Sequence, residues 1–387
     1  MLRSRRSMAG YFSIRRHVDF CFSMNRYFPR FLSMLVLLGL MISCIGEEMP
    51  DGTKLYFPPS NGDSWERLDP TSLGFETAKL DAFYTFLSNN DTRAFILLKD
   101  GKIVLEKYFG TDGRPYDQNN NWYWASAGKT LMAYLIGHAQ DAGHFNIQQT
   151  SADFLGYGWS SLSPSQEKNI KIWHHMTMTT GLDDRIADRD DTRPSSLVYL
   201  SEPGTRWAYH NAPYTLLEKI LELGTGKSLN LYTQEYLLSK TGMKGLWVKS
   251  GFNSVFFSDA RSMARFGLLL LAEGEWQGKV LLKDKDFLRQ MKSSSQSLNE
   301  SYGYLTWLNG QGSFMVPELQ QKFQGTLFKQ APSDMYAALG RDGQFLCVVP
   351  SKGLVLVRMG GSPDQASVPF LFLDEIWKEL TKIMVFK

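Results

Sequence analysis

A serine and a lysine stand three positions apart at the start of an apolar helical stretch, WYWASAGKTLMAYLIG, residues 122–137. The i, i+3 spacing places the side chains of Ser126 and Lys129 on one face of a helix. A lysine that is partly removed from water can lose its proton near neutral pH and activate the neighbouring hydroxyl as a nucleophile. The alternative is an ordinary N-cap serine, a residue type that helix starts favour.

Spacing alone is weak support for catalysis, because the same arrangement occurs a second time. Ser165 and Lys168 are also three positions apart, within the polar segment SPSQEKN, which is typical of a surface loop. We interpret this second pair as having no catalytic role. The hypothesis for Ser126 and Lys129 therefore needs residues of complementary chemistry elsewhere in the chain.

A tyrosine and an asparagine two positions apart provide such chemistry. Tyr209 and Asn211 lie in PGTRWAYHNAPYTLLEKILE, where a loop leads into a helix, and form the only Tyr-x-Asn sequence in the chain. A phenol whose pKa is lowered by a nearby ammonium group can pass the serine proton to a leaving group, and an amide can bind a substrate carbonyl or the lysine. The alternative is a turn with a capping asparagine. For His210, between them, we favour packing in the interior or a position on the surface over a position that faces the cleft.

Hydrophobic spacing and turn residues predict the elements that position these side chains. LGFETAKLDAFYTFLSNN has helical spacing, and RAFILLKDGKIVLEKYFG contains two apolar runs around Asp100-Gly101, which predicts a hairpin. Towards the other end, MYAALGRDGQFLCVVPSKGLVLVRMGG contains three strand-like runs, and VPFLFLDEIWKELTKIM has the spacing of an amphipathic closing helix.

Between these two groups of strands the patterns are mainly helical, from about residue 130 to residue 290. Strands at both ends of the chain, with helices between them, predict one antiparallel sheet built from both termini. We therefore expect an α+β fold, in which helices flank the sheet and a mostly helical region is inserted between its N-terminal and C-terminal strands.

Charge and composition exclude several classes of function. The 387 residues are 43% hydrophobic, which is ample for a large core, and the net charge of +3 is unevenly distributed. Residues 1–30 hold seven arginines and one acid, a net +6, so the remaining chain carries −3 and has no basic run suited to nucleic acid. The six histidines include His174 and His175, but no metal-binding spacing occurs. We expect neither a metal nor another cofactor.

The N-terminal residues 1–43 are predicted to be a leader and signal peptide, with Met24 as the natural start. Arginines precede an apolar run over residues 31–42, which is shorter than the ~20 residues of a membrane-spanning helix. A small residue directly before Cys44 resembles the lipobox of bacterial lipoproteins. We expect lipid on Cys44, which would anchor a periplasm-facing protein of the bacterial cell envelope to a membrane. The alternative is an uncleaved single anchor.

Residues 44–70 are expected to form a polar linker, and residues 71–387 the folded domain. Of the three cysteines, Cys21 lies in the leader and Cys44 is the expected lipid attachment site, so no disulfide is expected in the mature domain. Cys347 lies in the apolar stretch FLCVVP and is expected to be buried.

Further segments extend the pattern beyond these two motifs. IKIWHHMTMTTGLDD, EPGTRWAYHN, DARSMARFGLLLL and YGYLTWL follow in order within about residues 75–380. Together they resemble the serine penicillin-recognising superfamily, in the branch shared by class C β-lactamases, DD-peptidases, family VIII esterases and 6-aminohexanoate-dimer hydrolases. The resemblance implies a β-lactamase/transpeptidase-like fold without a cofactor. It also implies Ser126 as the nucleophile, Lys129 as its base and Tyr209 as a second acid/base.

The third motif of that superfamily, Lys-Thr-Gly or a His-x-Gly variant on the strand beside the site, is missing from the expected position. Lys240-Thr241-Gly242 has the literal sequence, but EYLLSKTGMKGLW is typical of a helix that ends in a lysine and a C-cap glycine. It also precedes the family segment at 258–271 and lies far from the C-terminal strands. We therefore interpret it as unrelated to the site.

The strand MYAALGRDGQFLCVV is instead expected to line the site, as in amide- and ester-hydrolase members with Gly-x-x-Gly-Gln. If residues 338–340 occupy the position of Lys-Thr-Gly, the backbone N–H of Arg341 is the oxyanion donor that accompanies the N–H of Ser126. An alternative register over residues 341–343 makes Gln344 the donor. We favour the first register, in which no lysine meets a substrate carboxylate. The expected substrate-binding residues are then Asn211, Gly340 and Arg341.

Three functions are compatible with the sequence. The first is a lipid-anchored serine hydrolase that cleaves a small-molecule ester, an amide or a short peptide through an acyl-enzyme on Ser126. The second is a peptidoglycan DD-peptidase or weak class C-like β-lactamase, which requires Arg341 to replace the missing lysine. The third is a catalytically inactive penicillin-binding-like binding or sensor protein. The substrate itself depends on the loops around the cleft, especially residues 183–200 and 309–330.

Overall fold

The computed structural model describes residues 54–110, 115–363 and 366–384. The predicted leader, Cys44 and the first part of the predicted linker lie outside the described residues. From residue 54 onward the rest of that linker packs along the domain, where Trp65 is buried and its indole Nε1 donates to the Gly101 carbonyl at 2.7 Å. None of the helices in the described ranges has the length and apolar character that crossing a membrane requires.

Helices and strands occur mainly in separate runs along the described chain and are labelled here in chain order. The helices are α1 Leu80–Asn89, α2 Gly128–Asp141, α3 Ala152–Leu155, α4 Pro164–Glu167, α5 Ile172–Met176, α6 Asn211–Thr225, α7 Leu229–Thr233, α8 Ser239–Thr241, α9 Ala260–Leu271, α10 Lys285–Met291 and α11 Phe370–Thr381. The strands are β1 Thr92–Lys99, β2 Lys102–Tyr108, β3 Trp122–Tyr123, β4 Leu246–Ser250, β5 Asn253–Ser258, β6 Glu275–Trp276, β7 Lys279–Val280, β8 Trp307–Leu308, β9 Ser313–Phe314, β10 Phe323–Gln324, β11 Tyr336–Gly340, β12 Gln344–Val349 and β13 Leu354–Gly360.

The main sheet is formed by strands from both ends of the chain. Its strand order is β2-β1-β13-β12-β11-β8, and β1 pairs antiparallel with β13, so that Thr92 lies opposite Gly360. The hairpin between β1 and β2 turns at Asp100 and Gly101, whose φ angles of 49° and 84° are left-handed, as an Asp-Gly turn allows. The predicted α+β class and the antiparallel sheet from both termini are confirmed.

Helices cover both faces of this sheet. Neighbouring residues of a strand point to opposite faces. In β12, Phe345 packs on Phe372 of α11, with ring centroids 6.2 Å apart, whereas the next residue, Leu346, contacts α9. A Cβ at Gly267 of α9 would lie 2.6 Å from Leu346 Cδ1, so this helix approaches the sheet too closely for a side chain there. The sheet is therefore the middle of three layers.

The region between the two groups of strands is mostly helical but also contains a small sheet that hydrophobic spacing does not predict. β5 is its central strand, and β3 and β4 pair with it antiparallel, which puts Tyr123 opposite Phe257. Because β3 has only two residues, its alternation is too short to detect in the sequence. This small sheet ends immediately before Ser126 and so joins the candidate site to the helical region.

Candidate active site

Ser126 lies in a short 3-10 turn, Ala125–Ala127, that leads directly into α2. The turn is tied to the small sheet through Trp124, whose backbone N–H donates to the Phe256 carbonyl at 2.8 Å. Ala125 has a φ of 46°, a left-handed value that is unusual for a residue with a Cβ. Backbone strain of this kind persists only where the surrounding packing enforces it, and it is concentrated at functional sites. The small sheet before the serine and α2 after it therefore fix the backbone that presents Ser126.

Lys129 lies in the first turn of α2, with only 2% of its surface exposed. Its Nζ donates to Ser126 Oγ at 2.9 Å and lies 5.1 Å from the ring centroid of Tyr209 and 4.3 Å from that of Tyr214. Burial lowers the pKa of Lys129 to about 7, and the carboxylate of Asp190 partly opposes this shift. Near neutral pH a large share of the molecules therefore carries a neutral amine, which can accept a proton from the serine.

Tyr209 lines the same cleft as Ser126, with its ring stacked on Trp307 at 5.8 Å between centroids. Burial raises the pKa of Tyr209, and a hydrogen bond with Ser126 acts in the opposite direction. The expectation that the ammonium group lowers this pKa is therefore wrong. The cost of removing a phenolate from water outweighs the hydrogen bond with Ser126, so the pKa of Tyr209 lies above its usual value. At neutral pH the phenol keeps its proton and is available to Ser126 as a hydrogen-bond donor.

Asn211 is the first residue of α6 and lines the same cleft as Ser126 and Tyr209. Its Oδ1 is buried and has no hydrogen-bond partner among the described residues, which leaves this oxygen free for a ligand. His210 is buried and is not among the residues that line the cleft. Burial lowers the pKa of His210 to about 4, so the imidazole is neutral at physiological pH. His210 therefore packs in the interior, one of the two positions expected for it.

The end of β11 lies directly against the serine turn. A Cβ at Gly340 would be 2.4 Å from the Trp124 carbonyl oxygen, so only glycine allows this approach. The next residue, Arg341, is exposed and lines the cleft. Gln344 is fully buried in β12, where its side chain donates to the Gly360 carbonyl at 2.7 Å and accepts from the Gly360 N–H at 3.1 Å. Of the two residues that the alternative registers offer as oxyanion donors, Arg341 lines the cleft and Gln344 does not.

The sequence over residues 92–365 matches the family model described as Beta-lactamase. The chain belongs to the β-lactamase family. The resemblance inferred from its motifs is confirmed by this match. No individual curated protein matches the chain.

Solved structures share the fold of this β-lactamase-family protein at low sequence identity. A Bacillus anthracis protein described as a 6-aminohexanoate-dimer hydrolase has 19% identity and a TM-score of 0.59, over 87% of this chain and 90% of that chain. A penicillin-binding protein homologue from Caulobacter crescentus has 11% identity and a TM-score of 0.64, over 83% of this chain and 100% of that chain. A β-lactamase from Mycobacterium bovis has 15% identity and a TM-score of 0.55, over 76% and 96% of the two chains. These similarities establish the β-lactamase/transpeptidase-like fold.

The literal Lys-Thr-Gly sequence of this β-lactamase-family chain lies at the end of α8. Gly242 has a φ of 72° and caps the helix, and a Cβ there would lie 2.5 Å from the Ser60 carbonyl oxygen. Thr241 is fully buried and Lys240 is exposed, and neither lines the cleft. The segment is therefore a helix end, as its sequence context predicts.

The cleft beside Ser126 has a volume of about 810 Å³ and is lined by residues of the small sheet and by a charged wall of loop residues. The small sheet contributes Val248, Val255 and Phe257, together with the polar or charged residues Lys249, Ser250 and Asn253. Residues 187–190 and 317–318 supply the charged wall, so both loops expected to shape the substrate site contribute to the lining.

Most charges on the cleft wall already have partners. Arg189 pairs with Glu318 at 3.0 Å, and Asp342 accepts a hydrogen bond from the Tyr123 hydroxyl at 2.6 Å. Asp190 differs, because its buried Oδ1 has no hydrogen-bond partner among the described residues. Its only sequence signal is the acidic run DRDD in the loop 183–200, and spacing did not single it out.

Within the described ranges, no group of three or more His, Cys, Asp or Glu side chains is arranged to hold a metal ion.

Proposed function

We propose that this protein is a serine hydrolase that cleaves an ester, amide or short peptide bond through an acyl-enzyme on Ser126. The observation that carries the proposal is the 2.9 Å contact between Lys129 Nζ and Ser126 Oγ, in surroundings that bring the pKa of Lys129 to about 7. A lysine in water has a pKa of about 10.4 and would be almost fully protonated at neutral pH. Burial therefore gives this lysine the property that a general base requires.

In the proposed acylation step, the neutral amine of Lys129 accepts the proton of Ser126 as its Oγ bonds to the substrate carbonyl carbon. The carbonyl oxygen becomes negative, and the backbone N–H groups of Ser126 and Arg341 donate to it. As the bond to the leaving group breaks, Tyr209 donates its proton to the leaving atom and regains one from Lys129. The amide of Asn211 contacts the substrate beside these groups.

Water completes the proposed cycle by attacking the carbonyl carbon of the acyl-enzyme. The water proton passes to the amine of Lys129, and the ester bond to Ser126 breaks as its Oγ regains a proton. The products are the free acid and the original enzyme. The fully protonated Tyr209 matters most in the first half of this cycle, because an amine or alkoxide leaves far more readily when it is protonated.

A second candidate function is a DD-peptidase or weak β-lactamase activity, which would use Arg341 to bind a substrate carboxylate. The exposed side chain of Arg341 supports it, because this guanidinium has no ion-pair partner among the described residues. A guanidinium binds a carboxylate in a bidentate manner, although its geometry differs from that of the lysine in Lys-Thr-Gly. We rank this function second for that reason.

We also propose that Cys44 carries lipid and that the domain faces the periplasm, anchored to a membrane. The proposal rests on the apolar run and the small residue before Cys44. Metabolic labelling with a radioactive fatty acid would test it in the full chain and in Cys44→Ser. Equal labelling of the two proteins would contradict the lipoprotein assignment.

Intact-protein mass spectrometry of the purified full chain tests the proposed chemistry. The chain is exposed separately to a fluorophosphonate and to a labelled penicillin, beside Ser126→Ala. We expect one fluorophosphonate adduct on the unmodified chain and none on Ser126→Ala. An additional penicillin adduct that depends on Ser126 would favour the second candidate function. No adduct with either probe on a folded sample would overturn both and leave a binding or sensor role.

A further inference from the structure

Arg358 is a cation buried inside the main sheet. It lies in β13, within the run LVLVRMG, and its surface is fully inaccessible to solvent. Burial lowers the pKa of Arg358 to about 9, which still leaves the guanidinium protonated at neutral pH. Among the described residues it forms no salt bridge with a carboxylate. An isolated buried charge is costly, so a cation in this position must be stabilised by oriented dipoles.

Backbone carbonyl groups provide these dipoles. All five N–H bonds of the guanidinium are directed at oxygen atoms, four of them in the main chain. Nη1 donates to the carbonyls of Asp342 at 2.6 Å and Gly343 at 3.0 Å, Nη2 to those of Asn90 at 2.7 Å and Gly361 at 3.0 Å, and Nε to Thr92 Oγ1 at 3.2 Å. The fork of Arg358 thus joins three separate segments of the chain.

One of these segments is the turn between β11 and β12, the turn that carries Arg341. Asp342 and Gly343 have consecutive left-handed φ angles of 62° and 75°, and their carbonyls point inward to the guanidinium. A Cβ at Gly343 would lie 2.6 Å from Arg358 Nη1, so the contact leaves no room for another residue. On the outer side, Tyr123 donates to the Asp342 carboxylate at 2.6 Å. The turn is therefore held from both sides.

We propose that Arg358 is a positioning residue for the oxyanion site, because its fork fixes the 341–343 turn and with it the backbone N–H of Arg341 beside Ser126. This inference rests on the proposed acyl-transfer function of Ser126. Arg358 touches neither the cleft nor the reacting atoms. An oxyanion donor is effective only if its direction is set before the reaction, and Arg358 supplies that constraint from behind the turn.

Lysine is the informative replacement at this position. Arg358→Lys keeps the positive charge but replaces the planar fork by a single ammonium group, which cannot reach carbonyls on three segments. A loss of activity would then reflect the loss of the fork, and not the loss of charge.

Arg265 of α9 provides a matched control. It is also buried, and its guanidinium also donates to carbonyls, at 2.8 Å for Thr241 and 2.9 Å for Pro59. Neither the arginine nor these partners line the cleft. Arg265→Lys therefore imposes a similar structural loss without touching the oxyanion turn.

The test compares the unmodified chain, Arg358→Lys and Arg265→Lys, each at a temperature well below its own Tm. The readouts are the second-order rate of fluorophosphonate labelling and the kcat and KM for p-nitrophenyl butyrate. For Arg358→Lys we expect labelling and kcat to fall by about tenfold to a hundredfold, with KM within about twofold, because the oxyanion forms only after binding. For Arg265→Lys we expect both rates within about twofold of the unmodified chain.

Equal rates in Arg358→Lys and Arg265→Lys would overturn the inference and leave the proposed function intact. An unmodified chain that reacts with neither probe would overturn the proposed function and this inference together. If Arg358→Lys does not fold, Gly343→Ala replaces it, because the added Cβ presses on Nη1 from within the turn. Folded Gly343→Ala with unchanged labelling and kcat would also overturn the inference.

Discussion

Two regions of the molecule share the sequence pattern Ser-x-x-Lys and differ in almost everything else. Ser126 and Lys129 lie where a 3-10 turn enters α2, and the lysine is buried against two tyrosine rings. Ser165 and Lys168 lie at α4, where both residues are exposed. Among the described residues, the hydrogen-bond partner of Ser165 Oγ is Ser163 Oγ, at 2.9 Å.

The difference between the two regions shows what the pattern lacks by itself. In both regions the i, i+3 spacing places the serine and the lysine on one face of a helix. Only the first pair lies inside a core that removes the ammonium group from water and so brings its pKa to about 7. The reactivity proposed for Ser126 is therefore a property of the surrounding elements, and the following experiments test the two regions against each other.

The largest expected effect comes from removal of each serine in turn. Ser126→Ala should abolish the fluorophosphonate adduct and lower kcat by about a millionfold, because loss of the nucleophile removes the covalent step. Ser165→Ala should label at the normal rate. Intact-protein mass measures the adduct in each variant, and steady-state kinetics measure kcat. An adduct that persists in Ser126→Ala would contradict the assignment of Ser126 as the nucleophile.

Removal of each lysine should give the next largest difference. Lys129→Met should slow labelling by about a thousandfold, because the serine then has no base, and it should raise Tm, because a buried cation is replaced by an apolar side chain of similar length. Lys168→Met should change neither quantity. Slow labelling in both variants, or in neither, would contradict the assigned base.

Tyr209→Phe sharpens the comparison, because no tyrosine hydroxyl of the described residues is hydrogen-bonded to the second serine, Ser165. We expect a fall of about a hundredfold in kcat for an amide substrate, since the proton donor for the leaving amine is lost while the ring packing is kept. A p-nitrophenyl ester, whose leaving group needs no proton, should lose much less. Tyr214→Phe, which keeps a ring over Lys129, should have a much smaller effect on both substrates. Equal losses for amide and ester would argue against proton donation by Tyr209.

The pH dependence should follow the lysine of the first region. A neutral amine predominates above its pKa, so labelling should rise by about tenfold from pH 6 to pH 8 and then level off, as expected for a base that titrates near 7. Lys168→Met should show the same profile. In Lys129→Met the residual rate should lose this inflection, and an inflection that survives would assign the titration to another group.

The smallest expected effect concerns the literal Lys-Thr-Gly sequence. Lys240→Ala should leave kcat and KM unchanged and alter the free energy of unfolding by less than about 0.5 kcal/mol, because its side chain is exposed at a helix end. Kinetics and chemical denaturation measure this. A substantial loss of activity in Lys240→Ala would contradict the interpretation that residues 240–242 are unrelated to the site.

The parts of the candidate site that sequence reasoning found are local ones. The Ser126–Lys129 and Tyr209–Asn211 pairs are each separated by only a few residues, so spacing and neighbouring residues identify them. The charged wall of the cleft was located only as a loop, because an acidic run does not show which of its carboxylates is buried without a partner. The motifs predicted a lysine near Tyr209 and therefore a lowered pKa for the phenol. They do not show the burial of Tyr209, which raises that pKa.

Strands β1, β2, β11, β12 and β13 of the main sheet were predictable, because they are apolar runs whose turns contain Asp-Gly or Lys-Gly. The edge strand β8 was not, because its two residues are too few for alternation to be detected. The register at the end of β11 was left open between Arg341 and Gln344, since it depends on packing against Trp124, which is more than 200 residues away. Arg358 was also missed. Its available signal is a single arginine in an otherwise apolar strand, and such a residue is worth examining wherever strands are predicted.

The pairing of β1 with β13 has a consequence for biosynthesis. A nascent chain complete through Asn211 already contains the serine, the lysine and the tyrosine, but β1 still lacks the partner that arrives with residues 354–360. Until then one edge of an apolar strand is unpaired, and such contacts between distant segments form slowly and expose the chain to aggregation. The turn that completes the candidate site is also synthesised late. An unfinished chain that lacks residues 354–360 therefore has both an unpaired apolar strand and an incomplete candidate site, and any activity of that site can begin only after these residues have been translated.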